Sequence, residues 1–395
     1  MNKPFVIAPT YLKHGDAVAQ IERHFFRSLA SMGIQPTVIS SLYDIEGCAF
    51  NHPVIELGEG KIYRKLDLFF HKFGLMDLAH TPDLHYPALR NKIIKEGIRL
   101  AKERKIDCIH TINNPVSAHV IGAELKKKTG LPLIVQLYDP WHNNPFRQYK
   151  YSYFDKRDLR MEREVADAAD LIIFPNVELL DSWAEYGEDL RKKMCVIPFC
   201  TEIPEPTASK HVDGKLVISH IGSLSKERQS SHFINALAAL NRQHPDIAAK
   251  IKVNYVGGIT SEEVKLIESS GISPLVNLVG RVTEQECFKY YEESDMFLIV
   301  DINCEPNLFY PSKLLKYFCY KKPIIGLTKN DSVVYHELSK TGNYPFRYED
   351  EKSLTEFLLK AALDYDSVNT NDKTYSKRFS VDSVCKEYIK YINKI

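Results

Sequence analysis

Short, almost unbroken apolar runs recur along this chain and alternate with longer segments of helical spacing. In the first half they fall at 5–9 (FVIAP), 36–42 (PTVISSL), 108–113 (CIHTIN), 133–139 (LIVQLYD), 171–176 (LIIFPN) and 195–199 (CVIPF). In the second half they fall at 216–222 (LVISHIG), 251–258 (IKVNYVGG), 276–282 (VNLVGRV), 296–302 (MFLIVDI) and 323–328 (PIIGLT). A strand that is apolar on both faces is buried on both, as in a parallel sheet covered by helices. Between the first two runs, Val18, Ile21, Phe25 and Leu29 make one helical stripe, and Gly33 follows as its stop signal. Strand–helix alternation of this kind predicts an α/β chain with doubly wound parallel sheets, and it occurs twice.

The two halves meet in CTEIPEPTASKHVDGK (200–215), which is rich in Pro, Thr and Ser and has no apolar period. That composition reads as a linker and divides the chain into domains at 1–202 and 203–379. The closing segment 380–395 places Val381, Val384, Tyr388 and Ile392 on one face, which predicts an amphipathic helix. At 395 residues the chain exceeds what one hydrophobic core fills. No clear pattern emerges from 43–88.

Charge is balanced overall, with 52 Lys+Arg against 51 Asp+Glu, which argues against a general nucleic-acid binder. It is uneven locally: residues 61–105 hold eleven Lys/Arg against five Asp/Glu, together with Phe69, Phe70, Phe73 and Leu75. Such a stretch predicts contact with an anionic membrane or an acidic, lipid-linked acceptor. The eight cysteines (48, 108, 195, 200, 287, 304, 319 and 385) form no CxxC and lie mostly in apolar segments. Neither a zinc site nor a disulfide framework follows, and the expectation is a cytoplasmic protein that at most touches the inner face of a membrane. No run approaches the length of a spanning helix.

Glycine-rich dinucleotide and P-loop signatures are absent, as are GxSxG and HExxH. The single DxD triplet, Asp364–Tyr365–Asp366, follows a helical stretch, so the expectation is no metal and no cofactor. In open parallel sheets ligands bind beyond the carboxyl ends of the strands, and the polar residues there are the candidates. Gly15 follows the first run and permits close backbone approach, while Asp139 and His142 follow the fourth in DPWHNNPF. In the second half, Arg228, Arg281 and Lys313 each follow a different run. Singly, each suits a solvated surface; three cations at the strand ends of one sheet suit a diphosphate.

Several segments resemble, in family order, the GT-B retaining glycosyltransferases, the sugar-nucleotide-dependent group that includes glycogen synthase and many bacterial polysaccharide enzymes. HIGSLSKERQSSHFINALAAL is similar to the group's glycine–loop–cation–helix segment, with Arg228 at the cation. VNLVGRVTEQECFKYYEESDMFLIV resembles the strand and base-contacting turn. FYPSKLLKYFCYKKPIIGL resembles a variant of the last motif, and ADLIIFPNVELLDSWAEYG with VIPFCTE the segments before the linker. Four features depart from the pattern, the first being the loop KHGD at 13–16, where the family has a Gly-Gly pair. Lys316 stands where the family has a ribose-binding carboxylate, Ser223 where it has an arginine, and Tyr138–Asp139 where many relatives have His–Asp.

The resemblance implies two Rossmann-like domains of the GT-B type, with the helix of 380–395 crossing back to pack on the first, and transfer of a hexosyl residue, with retention, from a UDP- or GDP-linked sugar to a glycan or lipid-linked acceptor. It implies diphosphate binding by Gly222, Ser223, Arg228, Ser312 and Lys313, and nucleoside contacts from Arg281, Val282 and Lys316. Glu305 would orient sugar hydroxyls, Asp139 would contact sugar or acceptor, and Gly15 and His142 would line the acceptor side. Two alternatives stay open: a sugar-nucleotide epimerase of the same architecture, and a non-catalytic sugar-nucleotide or partner-binding protein.

Overall fold

The computed structural model describes residues 1–13, 17–41, 50–57, 69–70, 72–73, 75, 77, 82–83, 85–202, 214–369 and 371–395. Within it the chain separates into two compact units, Met1–Glu202 with Phe379–Ile395, and Ile203–Arg378. The linker assigned to 200–215 falls largely outside the described residues, at 203–213.

The first unit holds a seven-stranded, wholly parallel sheet in the order β3-β2-β1-β4-β5-β6-β7. In chain order its strands are β1 (Pro4–Ile7), β2 (Thr37–Ser40), β3 (Val54–Glu56), β4 (Cys108–Ile112), β5 (Leu133–Gln136), β6 (Leu171–Phe174) and β7 (Met194–Val196). Helices α1 (Ala17–Ser31), α2 (His85–Lys102), α3 (Ser117–Thr129) and α4 (Ser152–Ala168) connect them. Every residue of β1, β2, β4, β5 and β6 is buried, which is why these strands read as continuous apolar runs. In α1 the stripe of Ile21, Phe25 and Leu29 is buried as its spacing requires.

The second unit holds a six-stranded parallel sheet, ordered β10-β9-β8-β11-β12-β13. Its elements are β8 (Leu216–Ile221), α5 (Ser231–Gln243), β9 (Ile251–Val256), α6 (Ser261–Ser269), β10 (Val276–Gly280), α7 (Glu284–Glu293), β11 (Met296–Val300), α8 (Ser312–Tyr320), β12 (Ile324–Thr328), α9 (Val333–Lys340), β13 (Tyr344–Arg347) and α10 (Glu351–Leu363). Ile218, Phe233, Leu237, Val253, Leu298, Leu327 and Leu358 belong to one core between sheet and helices. Each such side chain removed from water contributes about 1.5–3 kcal/mol. Thr260 with Glu263 and Thr283 with Glu286 form capping boxes that fix where α6 and α7 begin. The far end of α7 is closed by Lys322, a buried lysine whose ammonium donates to the carbonyls of Tyr291, Glu292 and Ser294. Burial lowers its pKa to about 8, with the charges of Asp295 and Glu292 opposing the shift.

The last helix, α11 (Val381–Ile392), belongs to the first unit and lies against α1. Val384, Tyr388 and Ile392 are buried as the spacing requires, with Cys385 beside them. Val381 is only half-buried, because it is the first residue of the helix and lies at the edge of the contact. Two strands escaped the sequence reading, β3 and β13. Both are sheet edges with little burial, so neither shows a continuous apolar run.

Candidate functional site

In both sheets the chain winds outward from the middle, so the strand order reverses at β1/β4 and at β8/β11. Loops leaving adjacent strands diverge at such a point and open a crevice. In the second unit β8 and β11 register only at Met296↔Ile218 and Phe297↔Ser219. Beyond that, side chains take over the backbone groups. The Tyr317 hydroxyl accepts from the N–H of Ile221 at 2.9 Å, and His220 Nδ1 lies 3.0 Å from the carbonyl oxygen of Leu298. A carbonyl can only accept, so Nδ1 carries the proton. Burial and the nearby cations Lys313 and Arg228 hold the imidazole well below its ordinary pKa, hence neutral.

Lys313, in the first turn of α8, places its ammonium 3.3 Å from the other ring nitrogen, Nε2 of His220. It passes directly over Gly222, where a Cβ would stand 2.7 Å from Lys313 Nζ; with φ at +129° that residue is effectively limited to glycine. Gly257, at φ +132°, is equally constrained, since its Cβ would lie 2.6 Å from the Gly222 backbone. Desolvation, with the charge of Arg228 second, pushes the Lys313 pKa down to about 7. Arg228 has a buried Nε without a hydrogen-bond partner. Among the described residues no carboxylate pairs with either cation. Pro311 at the N-cap of α8 gives its first turn no side-chain acceptor. Two under-partnered cations beside a helix start without a side-chain cap are chemically suited to an anion.

Other expected donor residues are distributed around this centre. Ser223 is exposed, and its hydroxyl accepts from the N–H of Gly258 at 3.2 Å. Ser312 is half-buried in the first turn of α8. Arg281 is exposed just past β10, with Val282 half-buried beside it. Lys316 does not join the Lys313 pair; its ammonium lies 3.2 Å from Glu284 at the start of α7. The carboxylate of Glu305 is 82% exposed and 3.5 Å from Lys329. Its loop is anchored by buried Asp301, which accepts from Thr328 Oγ1 at 3.0 Å, and by Asn307, which donates to the carbonyl of Ile302 at 2.9 Å.

In the first unit, Gly15 lies outside the described residues. The loops after β4 and β5 are stitched together. Asn113 accepts from the N–H of Tyr138 at 2.7 Å and donates to the carbonyl of Asp139 at 3.1 Å, while Asn114 donates to the Asp139 carboxylate at 2.8 Å. His142 Nε2 is 2.9 Å from Asp155, and its N–H donates to Glu162 at 2.8 Å, so this histidine is fixed on α4. Trp141 beside it is buried and donates to Asp158, which also pairs with Arg147 at 2.8 Å.

Sequence reasoning missed His220, Tyr317, Asn113 and Asn114. For His220 a signal existed: a histidine inside an otherwise apolar strand, two residues before a glycine. Tyr317 carries no such mark, because a tyrosine on the buried face of a helix reads as core.

Residues 22–200 match the family model described as Glycosyltransferase Family 4. No curated protein sequence matches the chain. Among solved structures, the fold is similar to that of Anabaena HepE in complex with UDP (15% identity, all of both chains covered, TM-score 0.70). It is also similar to sucrose-phosphate synthase from Thermosynechococcus elongatus (12% identity, 100% of this chain and 99% of that one, TM-score 0.66). A glycosyltransferase from Rickettsia africae aligns at 12% identity over 99% and 98% of the two chains with TM-score 0.64.

Proposed function

We propose that this chain, a glycosyltransferase of the GT-B fold with a family 4 domain, moves a hexosyl residue from a nucleotide-diphosphate sugar to a glycan or lipid-linked acceptor. The observation that carries the reading is the Lys313–Arg228 pair, two cations without a carboxylate partner at the reversal point of the second sheet. Breaking the sugar–phosphate bond leaves negative charge on the departing diphosphate, and groups set in advance around that charge lower the barrier. Arg228 offers a fork, Lys313 a point charge, and the first turn of α8 its N–H groups. Protein groups then supply the positive charge, and no metal is needed for it. Glu305 and Asp139 meet the sugar and acceptor hydroxyls, and the anomeric configuration is retained.

UDP is favoured as the nucleotide, because HepE, of similar fold, has been solved with UDP and with UDP-glucose. A panel of UDP- and GDP-sugars in a thermal-shift assay identifies the donor, since a ligand of the native state raises apparent stability. Labelled-sugar transfer to lipid and glycan acceptors then tests the reaction. Transfer that persists in a chelator supports the metal-free reading; activity lost in chelator and restored by magnesium overturns it. Epimerised sugar formed without acceptor would favour an epimerase instead. Binding without transfer or hydrolysis would favour a non-catalytic role.

A further inference from the structure

We propose that His220 is a positioning residue that holds the Lys313 ammonium on an uncharged acceptor, so that the lysine is oriented without being neutralised. This rests on the diphosphate reading of the same site. A lysine in the first turn of a helix repels the local dipole and, unpaired, would swing to solvent. Proteins usually fix such a group with a carboxylate, which would also cancel the charge an anionic substrate needs. Here the partner is the Nε2 lone pair of a ring that cannot turn away, because its Nδ1–H is committed to the Leu298 carbonyl at 3.0 Å. The bare Cα of Gly222 completes the channel, since a methyl there would displace Nζ.

Among the described residues no carboxylate acts on Lys313 or His220, and the carboxylate felt by Arg228 is that of Glu227. The charged and titratable groups acting on Lys313 are His220 and Arg228, and those acting on His220 are Lys313 and Arg228. The rings of Tyr255 on β9 and Tyr317 on α8 bound the same space, with Tyr255 6.2 Å from His220 and the Tyr317 hydroxyl on the Ile221 N–H. Lys313 is half-buried, and with a neutral partner nothing offsets its desolvation, which with the charge of Arg228 lowers its pKa to about 7. A bound diphosphate favours the charged form, so binding above that pH takes up a proton. Affinity is therefore highest below pH 7 and falls as pH rises, by up to about tenfold per unit, until the pKa of the complex is reached. A carboxylate partner would hold the lysine charged throughout and abolish this slope.

The test uses the full chain with UDP-glucose and GDP-mannose as probes, because a diphosphate diester has no proton to lose in this range. Binding is measured calorimetrically from about pH 6 to about pH 8.5. The wild type should weaken above about pH 7, and Lys313→Met should bind weakly with no slope. His220→Asp should bind at least about tenfold more weakly at the acid end and lose the slope, because its carboxylate competes for the ammonium. A purely structural histidine would change the melting temperature and leave the pH profile unmoved. If His220→Asp does not fold, the wild type and Lys313→Met still decide: a flat wild-type profile overturns the inference. If neither probe binds the wild type at any pH, the diphosphate reading itself falls, and this inference with it.

Discussion

Tyr388, on the last helix of the chain, donates its hydroxyl to Nδ1 of His110 in β4, at 3.0 Å, with the two rings stacked 5.4 Å apart. The other ring nitrogen donates to Gln136 on β5 at 2.9 Å, so the imidazole is satisfied on both sides in the middle of the first sheet. Tyr388→Phe leaves that buried nitrogen without its donor, which costs about 1–3 kcal/mol. Urea unfolding should show the loss. Deleting 380–395 should lower stability or solubility as well as activity, and an unchanged midpoint would show that the helix contributes nothing.

Acid should destabilise the same unit. Burial lowers the pKa of His110 to about 4 and of His119 to about 3, whereas in the unfolded chain each returns to about 6.5. Below that value the unfolded chain binds protons that the folded one refuses. Stability is thus full above about pH 6.5 and declines as pH falls toward 4, by at most about 1.4 kcal/mol per unit for each group. Denaturant midpoints that are flat between about pH 7 and about pH 5 would contradict this.

Lys313→Ala and Arg228→Ala should each weaken UDP or GDP binding by roughly 2–5 kcal/mol, about one and a half to four powers of ten in affinity. The double variant should fall short of the sum, because both cations address one anion. Lys316→Ala provides the control. Its partner Glu284 is an exposed carboxylate, so stability should move by no more than about 1 kcal/mol, and any effect should fall on the choice of nucleoside rather than on phosphate affinity. Titration calorimetry with both nucleotides reads all four proteins. Unaltered binding in Lys313→Ala would reduce that lysine to a packing residue.

The aromatic and basic stretch at 61–105 falls only partly within the described residues. Phe69 and Phe73 are 48% and 58% exposed and pack at a tilt with ring centroids 4.5 Å apart, with Lys72 over the Phe73 ring. Asp77 ties this segment to a second one by accepting from the N–H groups of Lys150 and Tyr151, where Tyr151 and Tyr153 are 57% and 65% exposed. On α2, in contrast, Arg99 is engaged by Glu96 and Glu103, which weakens the cationic face expected there. Sedimentation with anionic vesicles should therefore depend more on Tyr151 and Tyr153 than on Arg99. No sedimentation at low salt, where such attraction is strongest, would remove membrane contact altogether.

What the sequence determined by itself was the architecture. Burial on both faces forces each central strand into an unbroken apolar run, and that signal survives in one dimension because it depends only on neighbours in the chain. The apolar run located eleven of the described strands, the edges β7 and β10 among them, and missed the edges β3 and β13, which lack one. It also singled out Lys313 and Arg228, because polar residues just past strand ends are exposed to ligands by the geometry of any parallel sheet. Only the tertiary structure decided which cations converge. Lys313 in the first turn of α8 lies near Arg228, whereas Lys316, one turn further along the helix, reaches Glu284 at the start of α7. Nor could any local pattern show that His220 faces Lys313, 93 residues away. That meeting depends on β8 and β11 lying side by side, a pairing set by how the whole sheet winds.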